Sequence, residues 1–106
     1  ANRFVTQYNS LLGISFDGNV LVYNGQRYEP VWKSVDYAVV AAYYTEMSYI
    51  ILVEGCTRYG TEAAANFIKS SIAEMNKPGV YILKWTDVNG NGRYDPFDSV
   101  EIILSP

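Results

Sequence analysis

Oxygen-bearing side chains recur at short, regular intervals within residues 87–98. They are Asp87, Asn89, Asn91, Asp95 and Asp98. Numbered from the first, they occupy places 1, 3, 5, 9 and 12, which are ligand places of a twelve-residue calcium loop. Gly92 stands at place 6, where such a loop turns sharply, and Arg93 stands at place 7, which supplies a backbone carbonyl. Calcium takes about six to eight oxygens, so these residues, completed by water, predict a calcium site.

The same stretch has a plainer interpretation as a hairpin turn. Asn89-Gly90 and Asn91-Gly92 are both strong turn dipeptides. A turn explains the two glycines but gives no reason for the three carboxylates of this loop, which would repel one another without a cation. The calcium interpretation explains both features and is therefore favoured.

The loop resembles the calcium loops of EF-hands, dockerin modules and thrombospondin type 3 repeats. It is similar above all to a phrase of secreted and surface proteins of bacteria and archaea, Trp-Thr-Asp-x-Asn-Gly-Asn-Gly-x-Tyr-Asp-Pro, which here spans residues 85–96. The resemblance concerns a type of site and implies bound calcium. Place 12 is Asp98 instead of the longer glutamate of EF-hands, and the flanks, residues 80–85 and 100–104, have the pattern of strands. A structural calcium site is therefore expected, not a calcium-sensing helix pair.

No catalytic residue is predicted. The chain contains no histidine, which removes Ser-His-Asp and Cys-His catalysis and histidine-ligated zinc. Lys33-Ser34 and Lys69-Ser70 are only sequence neighbours, and no phosphate-binding or dinucleotide fingerprint is present. Nothing pairs any two of the glutamates that could act on a glycosidic bond, which are Glu29, Glu46, Glu54 and Glu62. We therefore expect a protein that is not an enzyme.

Length and composition indicate one folded domain over residues 1–106. Hydrophobic residues make up 49% and charged residues 18%, which excludes disorder. The net charge is −3 and no basic run occurs, which argues against nucleic-acid binding. Ten tyrosines favour a β-rich chain that makes contacts with partners. Cys56 is the single cysteine, so it is either a buried small apolar residue or a bridge to another chain.

Localisation is inferred from three weaker signs. The most apolar region, residues 37–53, is interrupted by Thr45, Glu46 and Ser48 and falls short of a membrane span. The sequence starts at Ala1 without a methionine, as after removal of a signal peptide, although a trimmed chain would start in the same way. Free calcium is plentiful outside cells. These signs together predict an extracellular or cell-surface protein.

Hydrophobic periodicity predicts an α+β fold, mainly antiparallel β and sandwich-like, with one amphipathic helix over residues 61–76 capped by Thr61. Short strands are expected at residues 14–16, 20–23 and 26–32, with turns at Asp17-Gly18 and Asn24-Gly25 and with Pro30 marking an edge strand. Residues 35–47 fit either a helix or a strand, and strand is preferred. Residues 1–12 are either a first strand or an extended arm that pairs with a neighbouring subunit.

Two functions follow as hypotheses. The first is a calcium-stabilised structural protein that self-associates as a subunit of a surface filament, layer or matrix. The second is a carbohydrate-binding or adhesion module with structural calcium, in which Tyr28, Trp32 and Tyr59 could stack on sugar rings. For each of these three aromatic residues the alternative is a half-buried place in a strand.

Overall fold

The computed structural model describes residues 13–44, 46, 49–71 and 77–106 of the chain. Its elements in chain order are β1 (Ile14–Asp17), β2 (Val20–Tyr23), β3 (Gln26–Tyr28), β4 (Val35–Tyr44), β5 (Tyr49–Gly55), α1 (Arg58–Ser71), β6 (Gly79–Thr86) and β7 (Ser99–Leu104). The strands pair antiparallel in two sheets, neither of them closed, so the α+β class with mainly antiparallel strands is confirmed. The predicted arm at residues 1–12 lies outside the described residues.

The small sheet has the order β1-β2-β3 and is built from two tight hairpins. Asn24 and Gly25 both have positive φ, 52° and 76°, as a type I′ turn requires. The first turn is centred on Gly18 and Asn19, one residue later than predicted, and Gly18 has a φ of 60°. β3 is an edge strand, as the sequence predicted, but it ends at Tyr28, before Pro30, and is therefore shorter than the predicted range of residues 26–32.

The large sheet has the order β5-β4-β6-β7, and its central strand β4 covers the region that the sequence left ambiguous. Residues 35–44 form a strand, as preferred. Its side chains are buried on both faces of the sheet: Ala38, Val39, Val40, Ala41 and Ala42. A strand buried on both faces lacks the alternation of apolar and polar residues, which is why its sequence also fits a helical stripe.

The core lies in two layers on either side of the large sheet. On one face, Val39 of β4 and Ile82 of β6 pack in one cluster with Ile14 and Leu21 of the small sheet. On the other face, a second cluster joins alternate residues of β4 and β6 to Ala64 of α1. The large sheet is thus fixed between the small sheet and the helix, which gives the connection between β6 and β7 a rigid base.

The helix begins three residues earlier than predicted. The sequence placed its start at Thr61, but α1 starts at Arg58, and the predicted last turn beyond Ser71 lies outside the described residues. Thr57 is the residue before the helix, and its Oγ1 accepts the N–H two residues later at 3.3 Å. The sequence pattern did not indicate this earlier start, because Gly60 falls within the first turn and glycine is unfavourable within helices. Within the described residues, no helix has the length and hydropathy that crossing a membrane requires.

Candidate metal centre

The loop of residues 87–98 connects two paired strands and is held at both ends. β6 and β7 are antiparallel neighbours, and Thr86 lies opposite Ser99 at the base of the loop. The next pair, Trp85 and Val100, continues the ladder away from the loop. The strand, loop and strand arrangement predicted from the sequence is therefore confirmed, and the twelve loop residues must close on themselves.

Asp87, at place 1, organises the first half of the loop. Its Oδ1 accepts the N–H of Gly90 at 3.2 Å, and its Oδ2 accepts the N–H of Gly92 at 2.8 Å. Both glycines have left-handed backbones, with φ of 75° and 71°. Side chains are strained in that conformation, so glycine at these two positions lets the chain wrap around the Asp87 carboxylate.

The side chains at places 3, 5 and 9 meet one another. Asn89 Oδ1 accepts the N–H of Asn91 at 3.2 Å, and Asn91 Oδ1 accepts that of Arg93 at 3.1 Å. Both amide Nδ2 groups donate to Asp95 Oδ2, from Asn89 at 2.5 Å and from Asn91 at 2.6 Å. Donation by Asn89, followed by the Phe97 N–H and by Asn91, lowers the pKa of Asp95 below its usual value. The Asp95 carboxylate is thus directed towards the side chains at places 3 and 5.

Asp98, at place 12, closes the loop. Its Oδ2 accepts the indole Nε1–H of Trp85 and the N–H of Asp95, both at 3.0 Å, and its Oδ1 accepts the N–H of Val88 at 3.2 Å. A carboxylate has about four lone-pair sites, so Oδ1 keeps one site for a further partner. Asp98 therefore ties the end of the loop to its start and to β6 while remaining able to bind a cation.

None of the three loop carboxylates forms an ion pair with a cationic side chain of the described residues. The ion pairs among the described residues are those of Arg27, with Asp17 at 3.1 Å and with Glu29 at 3.8 Å. No group of three or more Asp, Glu, Cys or His side chains in the described part is arranged to hold a metal ion. A calcium loop also draws on amide and backbone oxygens. The carbonyl oxygen of Arg93, at place 7, accepts no hydrogen bond from the described residues.

A neighbouring segment, residues 31–35, supports the loop from one side. The N–H of Asp87 donates to the carbonyl oxygen of Ser34 at 2.8 Å. The side chain of Lys33 covers Gly92, where its Cδ would lie 3.5 Å from an added Cβ. Lys33 itself has a φ of 64°, so this segment turns sharply where it meets the loop. No pattern in the sequence indicates this contact, because more than fifty residues separate Ser34 from Asp87.

Aromatic rings connect the same segment to the base of the loop. Tyr59 stacks on the buried Trp85, with centroids 5.7 Å apart and 17° between the ring planes. Trp32 contacts Tyr59 edge to face at 5.2 Å, and 59% of its residue surface is exposed. Tyr28 is half-buried against Tyr37, at 5.5 Å. Of the three aromatic residues predicted as a platform, Trp32 is therefore the one that solvent reaches freely.

Sequence reasoning missed Asp36, a buried carboxylate on β4 with 1% of its surface exposed. Its Oδ2 accepts the N–H groups of Thr57 at 3.0 Å and of Gly60 at 2.6 Å, and its Oδ1 accepts the N–H of Tyr37 at 2.9 Å. The first turn of α1 holds no acidic residue, so Asp36 supplies the negative charge that a helix N-terminus favours. Its signal in the sequence is a lone aspartate within an apolar run, which has to be satisfied wherever it is buried.

Cys56 is buried beside this cap, as the first of the two interpretations expected. Burial is the main reason that its pKa is raised from 9.0 to about 11, and the negative charge of Asp36 raises it further. Its Sγ lies 3.9 Å from the carbonyl oxygen of Tyr28. A thiol in this state is protonated at neutral pH and is a poor nucleophile.

A scan against models of protein families, a search of curated proteins and a search of solved structures each gave no match. Support for the loop's role therefore comes from its own residues, from β6 and β7, and from residues 31–35 beside it.

Proposed function

We propose that this chain is a calcium-stabilised extracellular structural protein, a non-enzymatic subunit of a surface assembly such as a filament, a layer or a matrix. The observation that carries the proposal is the loop of residues 87–98, which gathers carboxylate and amide side chains between two paired strands. A single ion there would fix the connection between β6 and β7.

In this proposal the ligands come from the six loop residues that the sequence indicated: Asp87, Asn89, Asn91, the carbonyl oxygen of Arg93, Asp95 and Asp98. The amide hydrogens of Asn89 and Asn91 now lie against Asp95, so the cation takes their place as the positive partner of that carboxylate. Asn89 and Asn91 would each offer an amide oxygen, which in this structure accepts a backbone N–H, and Asp98 would offer the remaining site on Oδ1. Water completes the coordination, as calcium commonly allows.

The charge in the loop supports a divalent cation. Three carboxylates within twelve residues repel one another, and none has an ion-pair partner among the described residues. The flanking strands are part of a sheet packed on both faces, so an ion in the loop would hold existing elements together without needing to move a helix pair. A structural role fits this setting better than sensing.

Self-association is supported by surfaces that the described part of the fold leaves uncovered. β5 and β7 are the edges of the large sheet, and neither has a second partner strand among the described residues. Unpaired edges accept strands from other chains. Large exposed hydrophobic residues also occur in the loop and in the segment beside it, among them Val31, Val88 and Phe97. Calcium would therefore fix a surface that is suited to contacts between subunits.

Thermal unfolding with calcium and with a chelator tests the calcium half of the proposal. We expect a higher melting temperature in calcium, because a ligand that binds only the folded state stabilises it by mass action. Magnesium at the same concentration is the control, since it requires smaller, near-octahedral sites. Identical melting temperatures in calcium, magnesium and chelator would reject a stabilising calcium site.

A further inference from the structure

An open cleft lies beside the exposed indole of Trp32. It has a volume of about 330 Å³ and is lined by Asn19, Val20, Glu29, Pro30, Trp32 and Thr57. These residues come from the turn between β1 and β2, the segment after β3 and the start of α1. The volume is at the lower end of the range of ligand pockets, about 300–1,000 Å³, which suits a small ring.

Trp32 forms an apolar wall of this cleft and is held in place. Its edge-to-face contact with Tyr59 fixes the ring, and Tyr59 is fixed in turn by stacking on the buried Trp85. The indole nevertheless keeps 59% of the residue surface exposed. A rigid aromatic face costs little conformational entropy on binding, and its negative π surface attracts weakly positive C–H groups.

The polar groups around the indole mainly accept hydrogen bonds. Glu29 presents a carboxylate whose side chain is 69% exposed. The hydroxyl of Thr57 donates to Asp36 at 2.5 Å and accepts the N–H of Tyr59 at 3.3 Å, so it is engaged within the fold and Thr57 contributes mainly shape to the cleft. Asn19 adds an exposed amide that both donates and accepts. Among the described residues, no lysine or arginine lines the cleft, and the cation that pairs with a lining residue is Arg27, 3.8 Å from the carboxylate of Glu29.

We propose that this cleft binds a neutral sugar ring of a glycan. A pyranose has one face of C–H groups and a rim of hydroxyls, which matches one exposed indole with acceptors around it. The carboxylate of Glu29 disfavours uronic acids and sulfated sugars through like charge, an effect that its exposed pair with Arg27 reduces but does not cancel. The cleft contains no residue of the loop at 87–98, so a sugar and a calcium ion would contact different residues.

The two tryptophans make a direct test possible in the full chain. Each gives its own indole N–H signal in a ¹⁵N spectrum; Trp32 lines the cleft, whereas Trp85 is buried. The titrants are neutral monosaccharides and short oligosaccharides of glucose, galactose, mannose and N-acetylglucosamine. We expect at least one of them to shift the Trp32 signal to saturation and to leave the Trp85 signal in place. A Trp32→Phe variant assigns the two signals.

Variants on opposite walls distinguish binding in the cleft from nonspecific binding to the surface. Trp32→Ala should weaken binding by roughly tenfold or more, the scale of losing one aromatic stacking partner. Asn19→Ala and Glu29→Gln should each weaken it severalfold. Val31→Ala is the matched control, because Val31 is 57% exposed beside Trp32 and does not line the cleft.

Three results would overturn the proposal. The first is that no neutral sugar shifts the Trp32 signal, and the second is that only acidic sugars shift it. The third is that Val31→Ala weakens binding as much as Trp32→Ala does. Circular dichroism of each variant identifies any loss of fold. If Trp32→Ala is unfolded, Asn19→Ala and Glu29→Gln decide the matter, and unchanged affinity in both would also overturn it.

Discussion

Replacing Asp87 with asparagine should weaken calcium binding more than the same replacement at either of the other two loop aspartates. Asparagine keeps the size of the side chain and one acceptor oxygen, so one of the N–H groups of Gly90 and Gly92 remains bonded. The variant loses the attraction between a carboxylate and a doubly charged ion. At a ligand distance of about 2.4 Å and in a water-like dielectric, that attraction is about 3 kcal/mol. The expected loss of affinity is on the order of a hundredfold.

Isothermal titration calorimetry of wild type and Asp87→Asn measures this difference. Asp17→Asn is the matched control, because it makes the same change in net charge at an exposed aspartate paired with Arg27, outside the loop. It should leave calcium affinity within about twofold of wild type, since a remote exposed charge is largely screened by salt. Equal affinities for Asp87→Asn and wild type would refute Asp87 as a ligand. Equal losses of calcium affinity in both variants would show that the effect comes from the change in net charge alone.

Two further predictions concern the cap of α1 and the thiol beside it. Gly60→Ala should destabilise the fold by about 1–3 kcal/mol, because the new Cβ would lie 2.7 Å from Asp36 Oδ2 in a packed site; urea unfolding measures this. Cys56 should react with iodoacetamide at pH 8 about 100-fold more slowly in the folded than in the unfolded protein, since its pKa rises from 9.0 to about 11 on folding. Because the folded state holds this proton more tightly, Cys56 contributes stability below pH 9 that is lost as the pH rises through 11.

Each of these has a simple control. Ser70→Ala, on the exposed side of α1, should change stability by less than about 0.5 kcal/mol, and a similar loss in both helix variants would count against the close contact at Gly60. Equal alkylation rates in folded and unfolded protein would contradict the raised pKa of Cys56.

The elements that the sequence predicted well are those defined by local chemistry. Asn24-Gly25 specified a hairpin turn because both residues tolerate positive φ, and the run of strand, loop and strand at the C-terminus followed from turn residues between two apolar stretches. The start of α1 could not be predicted in the same way. Its N-terminal charge comes from Asp36, more than twenty residues away, and that contact exists only after β4 has entered the sheet.

The candidate metal centre was likewise predictable only in its local features. The spacing of oxygen-bearing residues predicted a loop, and the structure brings the side chains at places 3, 5 and 9 together. The support from Ser34 and Lys33 and the role of Trp85 as a donor to Asp98 are long-range contacts that spacing does not encode. The same holds for the cleft at Trp32, whose walls come from separate elements of the fold.

Particle size in calcium and then in chelator, measured by light scattering on one sample of the wild-type chain, tests the proposed function most directly. We predict particles much larger than an 11.9 kDa monomer in calcium and smaller particles once the ion is removed. A chain that stays monomeric at high concentration with calcium present would contradict its role as a subunit of a calcium-stabilised assembly.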